Sequence, residues 1–266
     1  METYRPTSLD EALRLLEEHP DATVLGGGTD LMVEVTYGSR RPHSIVALRR
    51  IDELKRLDVR FIGAGVTWSQ LERSPWPGIA QAARTVGSPQ IRNAGTLGGN
   101  LGTASPAGDG LPFLAAVDAD IEIASTTGTR VIRWDSFLTG PKQNALRCGE
   151  IILGARLPEH LPQRQAFAKI GARNAMVISI VAACLVRDAD DTVRLALGSV
   201  GPTPLRAPRA EEMISSERQP SAAAVSEFGR LVTEEVSPID DHRSTAAYRR
   251  HAAGVLARRL LERCLP

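Results

Sequence analysis

The chain has 266 residues, 42% of them hydrophobic and 24% charged, and a formal net charge of +1. That length allows two or three compact units with a substantial core, and the near-zero charge offers no general field for nucleic acid or an anionic membrane. Three scattered cysteines, Cys148, Cys184 and Cys264, argue against a disulfide framework, a zinc site or an iron–sulfur cluster held by this chain alone.

The opening Met1-Glu2-Thr3-Tyr4-Arg5-Pro6 lacks the basic start and apolar stretch of a secretory signal. Ser8 and Glu11 have capping-box spacing ahead of Leu9, Ala12, Leu13 and Leu16, so a helix is predicted there, stopped by Pro20. Thr23–Leu25 reads as a short buried strand and Ser44–Leu48 as a second. This first small α/β unit is placed at residues 1–57.

A second unit, 58–162, starts with a strand over Arg60–Gly65. Thr67 and Gln70 form another capping box before a brief helix through Leu71, and the alanine-rich Gly78–Thr85 is helical. Pro112 falls in the first turn of a further helix that turns Phe113, Leu114 and Val117 inward. Strands follow at Ala119–Ala124, Thr129–Trp134 and Glu150–Leu157. Pro158–Pro162 reads as a linker.

The third unit, 163–266, has three strand candidates, Ala166–Gly171, Ile178–Arg187 and Thr192–Val200. Helices are expected at Ala210–Ser215, Ala222–Val236 and Ser244–Cys264. The longest apolar run, Met176–Val186, is interrupted by Ser179 and falls short of the roughly twenty helical residues that span a bilayer. Together with the N-terminus, this points to the cytoplasm. Strands and helices do not alternate regularly, so the class is α+β, not a doubly wound sheet.

Two glycine-rich segments carry the chemistry: Val24-Leu25-Gly26-Gly27-Gly28-Thr29-Asp30-Leu31 and Asn93-Ala94-Gly95-Thr96-Leu97-Gly98-Gly99-Asn100. Glycine lets the backbone approach a ligand and turn several N–H groups toward one point, which a pyrophosphate requires. One such segment is usually only a turn. Two of them, with Thr29, Asp30, Thr96 and Asn100 beside the glycines, suggest a dinucleotide-type cofactor. The first is no dinucleotide fingerprint: Leu31 stands in place of the third glycine, and no helix plainly opens there. The five histidines show neither ligand spacing nor a paired nucleophile.

These segments, with Gly87-Ser88-Pro89-Gln90-Ile91-Arg92-Asn93, resemble the FAD-binding medium subunit of molybdenum hydroxylases, the family of the carbon monoxide dehydrogenase flavoprotein and the xanthine dehydrogenase flavin domain. The match continues through Thr103–Asp109, Glu150–Leu153, Phe167–Arg173, Gly198–Pro204 and Tyr248–His251, in the expected order over nearly the whole chain. The resemblance implies two α/β subdomains of the p-cresol methylhydroxylase (PCMH) type holding FAD between them. A C-terminal domain of a three-stranded antiparallel sheet plus helices would follow.

By the same resemblance Leu25, Gly26, Gly27, Gly28, Thr29, Asp30 and Leu31 contact the pyrophosphate and ribityl chain, joined by Thr96, Gly98, Gly99 and Asn100. Val86 and Gly87 line the cofactor, Asp109 binds a flavin-side hydroxyl, Ile152 and Leu153 pack near the adenine or ring system, and Lys169 touches the cofactor. Each has a plain alternative. Asp109 would equally cap a helix, Ile152 and Leu153 would be core strand residues, and Lys169 a solvated strand-end charge. Arg92 reads first as a surface arginine paired with an acid. Arg249, Arg250, Arg258 and Arg259 give the last helix a basic stripe, read as a solvated face or partner contact. Gly26 stands where many relatives have alanine, and Glu34 where they place apolar or basic residues. No histidine, cysteine or tyrosine falls inside either glycine segment, so FAD is expected to be noncovalent.

The implied function is electron transfer within a complex. Substrate is hydroxylated at molybdenum on a large subunit, electrons cross 2Fe-2S clusters of a small subunit, and FAD on this chain passes them to NAD+, a quinone, oxygen or another acceptor. The absence of an acid–base pair or activated nucleophile agrees with that, since the cofactor does the chemistry. Two other classes compete: a self-contained flavin oxidase or reductase, which needs its own proton donor, and a nucleotide-binding module without catalysis.

Overall fold

The computed structural model describes residues 1–266 apart from Ala175, Ser216 and Pro266. The first unit is a three-stranded parallel sheet of β1 (Glu2–Tyr4), β2 (Thr23–Leu25) and β3 (Ser44–Ala47), in the order β1-β3-β2. Helix α1 (Leu9–Glu18) joins β1 to β2 and buries Ala12, Leu13 and Leu16. Ser8 caps it by accepting the N–H of Glu11, but the Glu11 carboxylate takes the N–H of Thr7 instead of closing the reciprocal half of the box. A helix α2 (Leu31–Thr36) does open at Leu31, contrary to the sequence reading. It buries no residue, so it leaves no apolar periodicity to read.

The second unit is a five-stranded antiparallel sheet. It comprises β4 (Leu57–Asp58), β5 (Phe61–Gly63), β6 (Asp120–Ser125), β7 (Gly128–Arg133) and, after the hairpin of β8 (Leu138–Gly140) and β9 (Gln143–Asn144), the central β10 (Ile151–Arg156). The order is β4-β5-β10-β6-β7. Between β5 and β6 lie α3 (Trp68–Leu71), α4 (Pro77–Thr85), α5 (Pro89–Ala94), α6 (Leu97–Thr103) and α7 (Leu111–Ala116); α8 (Trp134–Phe137) follows β7. Thr67 and Gln70 close a full capping box on α3.

The second glycine segment lies mostly in helices, its first two residues ending α5 and its last four opening α6. Thr96 caps it through the N–H of Gly99 at 3.0 Å. Gly98 is needed because a β-carbon there would meet the Ala64 β-carbon at 2.6 Å. Close packing overrides glycine's poor helix propensity.

In the third unit β11 (Arg164–Ile170), β12 (Val181–Arg187) and β13 (Val193–Gly198) pair antiparallel, as expected. A fourth strand, β14 (Leu205–Arg206), adds to β13. Two residues between prolines carry no alternation to read. Helices α9 (Pro208–Ile214), α10 (Ala222–Glu235) and α11 (Ala246–Arg263) pack on one face through Val181, Ala183 and Leu185. The other face, including Ala182, Cys184 and Val186, joins the core of the second unit beside Phe113. All seven residues of β12 are buried, Arg187 included, which explains the apolar run from Val181 to Val186.

The basic stripe of α11 is corrected at one position. Arg249 is buried, and its guanidinium donates to the carbonyls of Ile180 and Ser199 and to Asp241 Oδ1.

Candidate functional site

A cleft of about 1120 Å³ runs between the first two units and is overhung by the third. The first glycine segment follows the carboxyl end of β2, and α5 and the start of α6 face it. Contact is at backbone distance: a β-carbon on Gly27 would stand 1.9 Å from the Ala94 carbonyl oxygen, and one on Gly26 3.1 Å from Thr96 Oγ1. Gly28 has φ +75°, a left-handed conformation suited to glycine.

The N–H groups of Gly27, Gly28 and Thr29 donate to no acceptor among the described residues. Three adjacent unpaired donors at the wall of a cleft are the kind of donor set an anion requires. Asp30 precedes α2 without capping it, and its carboxylate accepts instead from Thr103 Oγ1 on α6 at 3.3 Å.

At one end of the cleft Asp109 is only 8% exposed. It caps nothing: α7 starts from Gly110, and Asp109 Oδ2 lies 2.6 Å from Lys169 Nζ. Burial raises the Asp109 carboxyl to about 6, against the downward pull of Lys169. Its Oδ1 is buried without a partner. Lys169 also donates to the Thr85 carbonyl at 3.0 Å, so it is a buried bridge and not a solvated strand-end charge.

Val86 and Gly87 border the cleft, the latter at φ +45°, and Arg92 donates to both carbonyls while pairing with Glu72. Ile152 borders the opposite wall. Two residues earlier in the chain Glu150 also borders the cleft; its carboxylate takes two 2.7 Å bonds from Arg130 and is held below the ordinary carboxylate range by them.

Fifteen of the residues singled out from sequence, Leu25 to Leu31, Val86, Gly87, Thr96, Gly98, Gly99, Asn100, Asp109 and Ile152, therefore come together around one cavity. Leu153 and Lys169 do not border it. Leu153 lies at a bulge in β10 and contributes its carbonyl to the N–H of Ala64 at 2.8 Å.

No sequence pattern marks Lys142, which reaches across the cleft mouth to Glu34 at 2.9 Å with Arg40 on the same carboxylate. Nor did it signal Met176, Val177 and Ile178, which overhang the cavity from the third unit. Isolated charges and a loop between strands have no pattern to detect. No group of three or more His, Cys, Asp or Glu able to hold a metal occurs among the described residues.

The donors fit a flavin dinucleotide. Unpaired main-chain N–H groups suit its diphosphate, an orphan carboxylate oxygen suits a hydroxyl or ring N–H, and the apolar wall at Ile152 suits a flat ring.

Comparison with known proteins agrees. The family model of the FAD binding domain in molybdopterin dehydrogenase matches residues 1–160, and that of the CO dehydrogenase flavoprotein C-terminal domain residues 166–264. The chain is 33% identical over 235 residues to the nicotinate dehydrogenase FAD-subunit of Eubacterium barkeri, covering 80% of this chain and 79% of that one. It is 31% identical over 271 residues to the nicotine 6-hydroxylase medium subunit of Paenarthrobacter nicotinovorans, covering 96% and 94%. Among solved structures, a chain of the Hydrogenophaga pseudoflava carbon monoxide dehydrogenase superposes with a TM-score of 0.91 at 28% identity, covering 99% of this chain and 96% of that one. The chain belongs to the family of FAD-binding medium subunits of molybdenum hydroxylases, with the family's C-terminal flavoprotein domain in place.

Proposed function

We propose that this chain is the electron-transfer subunit of a cytoplasmic molybdenum hydroxylase, taking electrons from the 2Fe-2S clusters of a small partner subunit and passing them to NAD+, a quinone or another acceptor. A molybdopterin-binding large subunit would carry the hydroxylation. The observation that carries the reading is the pair of facing backbone walls, with free N–H groups on Gly27, Gly28 and Thr29 and an orphan Asp109 oxygen in the same cleft.

Bound FAD would supply reversible one- and two-electron chemistry. The residues of this chain bind and orient. Gly27, Gly28 and Thr29 donate to the diphosphate, Thr96 holds Gly99 and the first turn of α6 in place, and Asp109 accepts from a hydroxyl or ring N–H. Ile152 gives an apolar wall, while Met176 and Ile178 screen the cleft from water. In this reading residues 1–57 and 58–162 are the two cofactor-holding halves and 163–266 the covering domain.

The test is affinity purification of the native protein with analysis of co-purifying chains, molybdenum, iron and flavin. Recovery of two further subunits with both metals and FAD is expected. One observation favours a self-contained flavin oxidase or reductase: the Asp109 carboxyl borders the cleft with Oδ1 unpartnered, and burial raises it to about 6, in keeping with proton exchange there. Isolation of the chain with FAD but neither metal, oxidising a small molecule unaided, would decide for that alternative.

A further inference from the structure

Arg249, near the start of α11, is buried where the beginning of β12 meets the end of β13, with 3% of its side chain exposed. Its Nη1 donates to the Ile180 carbonyl at 2.8 Å and to the Ser199 carbonyl at 2.9 Å. Its Nη2 donates to Asp241 Oδ1 at 2.6 Å. Both carbonyls lie outside the β12–β13 ladder, whose last pair is Ala182 with Gly198. The guanidinium therefore continues the clamp where the strands stop pairing.

Each carbonyl leads to the cofactor cleft by its own route, although Arg249, Ile180 and Ser199 do not border it. Ile180 closes the 171–179 connection, its N–H donating to the Ile170 carbonyl at 2.8 Å, and that connection carries Met176, Val177 and Ile178 over the cavity. Ser199 gives its N–H to the Pro106 carbonyl at 2.8 Å, and Pro106 lies between Ser105 and Ala107 in the cavity wall that runs on to Asp109. The hydroxyls of Ser179 and Ser199 are buried without a partner, so neither fastens its own segment. Within the connection Arg173 donates to the Met176 carbonyl at 3.1 Å, and Val177 fills the space beside Gly171, where a β-carbon would meet it at 2.3 Å. The overhang is thus braced as a unit, and Arg249 holds its outgoing end.

We propose that Arg249 is a positioning residue for the cofactor cleft: by gripping the Ile180 and Ser199 carbonyls together it fixes the 171–179 overhang against the 105–109 wall, and so sets how far bound flavin is screened from solvent. This rests on the FAD reading above. A planar guanidinium holds two carbonyls and a carboxylate in fixed directions at once, and an ammonium of equal charge does not reproduce that fork.

The experiment is iodide quenching of flavin fluorescence in the full-length protein loaded with FAD and freed of unbound flavin, with calorimetric melting alongside. Arg249→Lys keeps a charge for Asp241 but loses the fork, so quenching should rise at least about twofold as the overhang opens locally. Asp241→Asn leaves both carbonyl bonds in place, so it should melt earlier with quenching unchanged. Ile178→Ala should itself raise quenching, and should add little in the Arg249→Lys background, because both changes act through one overhang.

Unchanged quenching in Arg249→Lys, or full additivity with Ile178→Ala, overturns the proposal while leaving the FAD reading intact. An equal rise in Asp241→Asn does the same, since exposure would then follow lost stability. If Arg249→Lys does not fold, hydrogen exchange in the natural protein decides. FAD should slow exchange of the Ile180 and Ser199 amides at least about threefold relative to α10, and unaltered exchange there overturns the proposal. Natural protein that retains no FAD overturns the FAD reading and this inference together.

Discussion

The carbonyl oxygen of Ala94 occupies the space in which a β-carbon on Gly27 would sit, at 1.9 Å. The two walls of the cofactor cleft thus touch backbone to backbone, with no flexible side chain between them to yield. Gly27→Ala must push α5 away from the β2–α2 turn, and overpacking of this kind costs about 1–3 kcal/mol. The expected result is a folded protein whose FAD affinity is at least about tenfold lower, read by fluorescence titration. Natural affinity in this variant would show that the contact does not shape the site.

Glu34 and Lys142 close the cleft mouth at 2.9 Å, from α2 on one side and the β8–β9 turn on the other. The pair is partly exposed, so its static worth is about 0.2–1 kcal/mol. Its position makes it act on exchange. Lys142→Met should speed FAD dissociation by about two- to fivefold at low salt. The difference should vanish near 1 M salt, where the screening length drops to about 3 Å. Stopped-flow release of flavin fluorescence measures both. Equal rates at low salt would remove the pair from the exchange step.

Asp241 supports the buried Arg249. Although burial pushes its carboxyl up, the N–H of Arg243 and the Arg249 guanidinium pull it down to about 2. A depressed folded value means the stabilisation is complete above the unfolded value near 4 and is lost as the pH falls toward 2. Asp241→Asn should therefore be less stable than the natural protein at pH 7 by on the order of 2 kcal/mol and unfold at a lower temperature. The gap should narrow between pH 4 and 2. Parallel melting curves with a constant gap would assign the low-pH loss to other carboxylates.

Much of this was legible in the sequence where a local rule dominates. Ser8 and Thr67 cap because a short hydroxyl precedes a helical pattern, and the β6–β7 hairpin alternates as strands do. What was not legible depends on distant partners. Helix α6 forms around Gly98 because Ala64 leaves no room for a side chain. Lys169 and Arg249 look like surface charges until the fold brings Asp109, Thr85, Ile180 and Ser199 to them. Within the site, the glycine segments identified themselves, because close approach restricts residue type. The cross-cleft Glu34–Lys142 pair spans 108 residues and could not be read.

Helix α7 is held by the third unit at both ends, and this ties stability to the site. Before its first turn, Asp109 is bonded to Lys169. At its last turn, Arg194 donates to the Ala116 carbonyl at 3.0 Å, and Arg206 to the Ala115 carbonyl at 3.2 Å and to Asp118 at 3.0 Å. Arg206 in turn is gripped by Glu211 through two 2.6 Å bonds. Cations at a helix C-terminus and a bidentate carboxylate are both favourable. Breaking the partly buried pair leaves Glu211 with an unmatched charge, at a cost of about 3 kcal/mol. Arg206→Met should thus lower the melting temperature by about 6–12 °C. FAD affinity should fall much less than in Asp109→Asn, since the Asp109 end of α7 keeps its own anchor. Calorimetry and fluorescence titration on the same samples separate the two effects. An FAD loss as large as that of Asp109→Asn would mean that α7 moves as a rigid lever between the domain contact and the cleft.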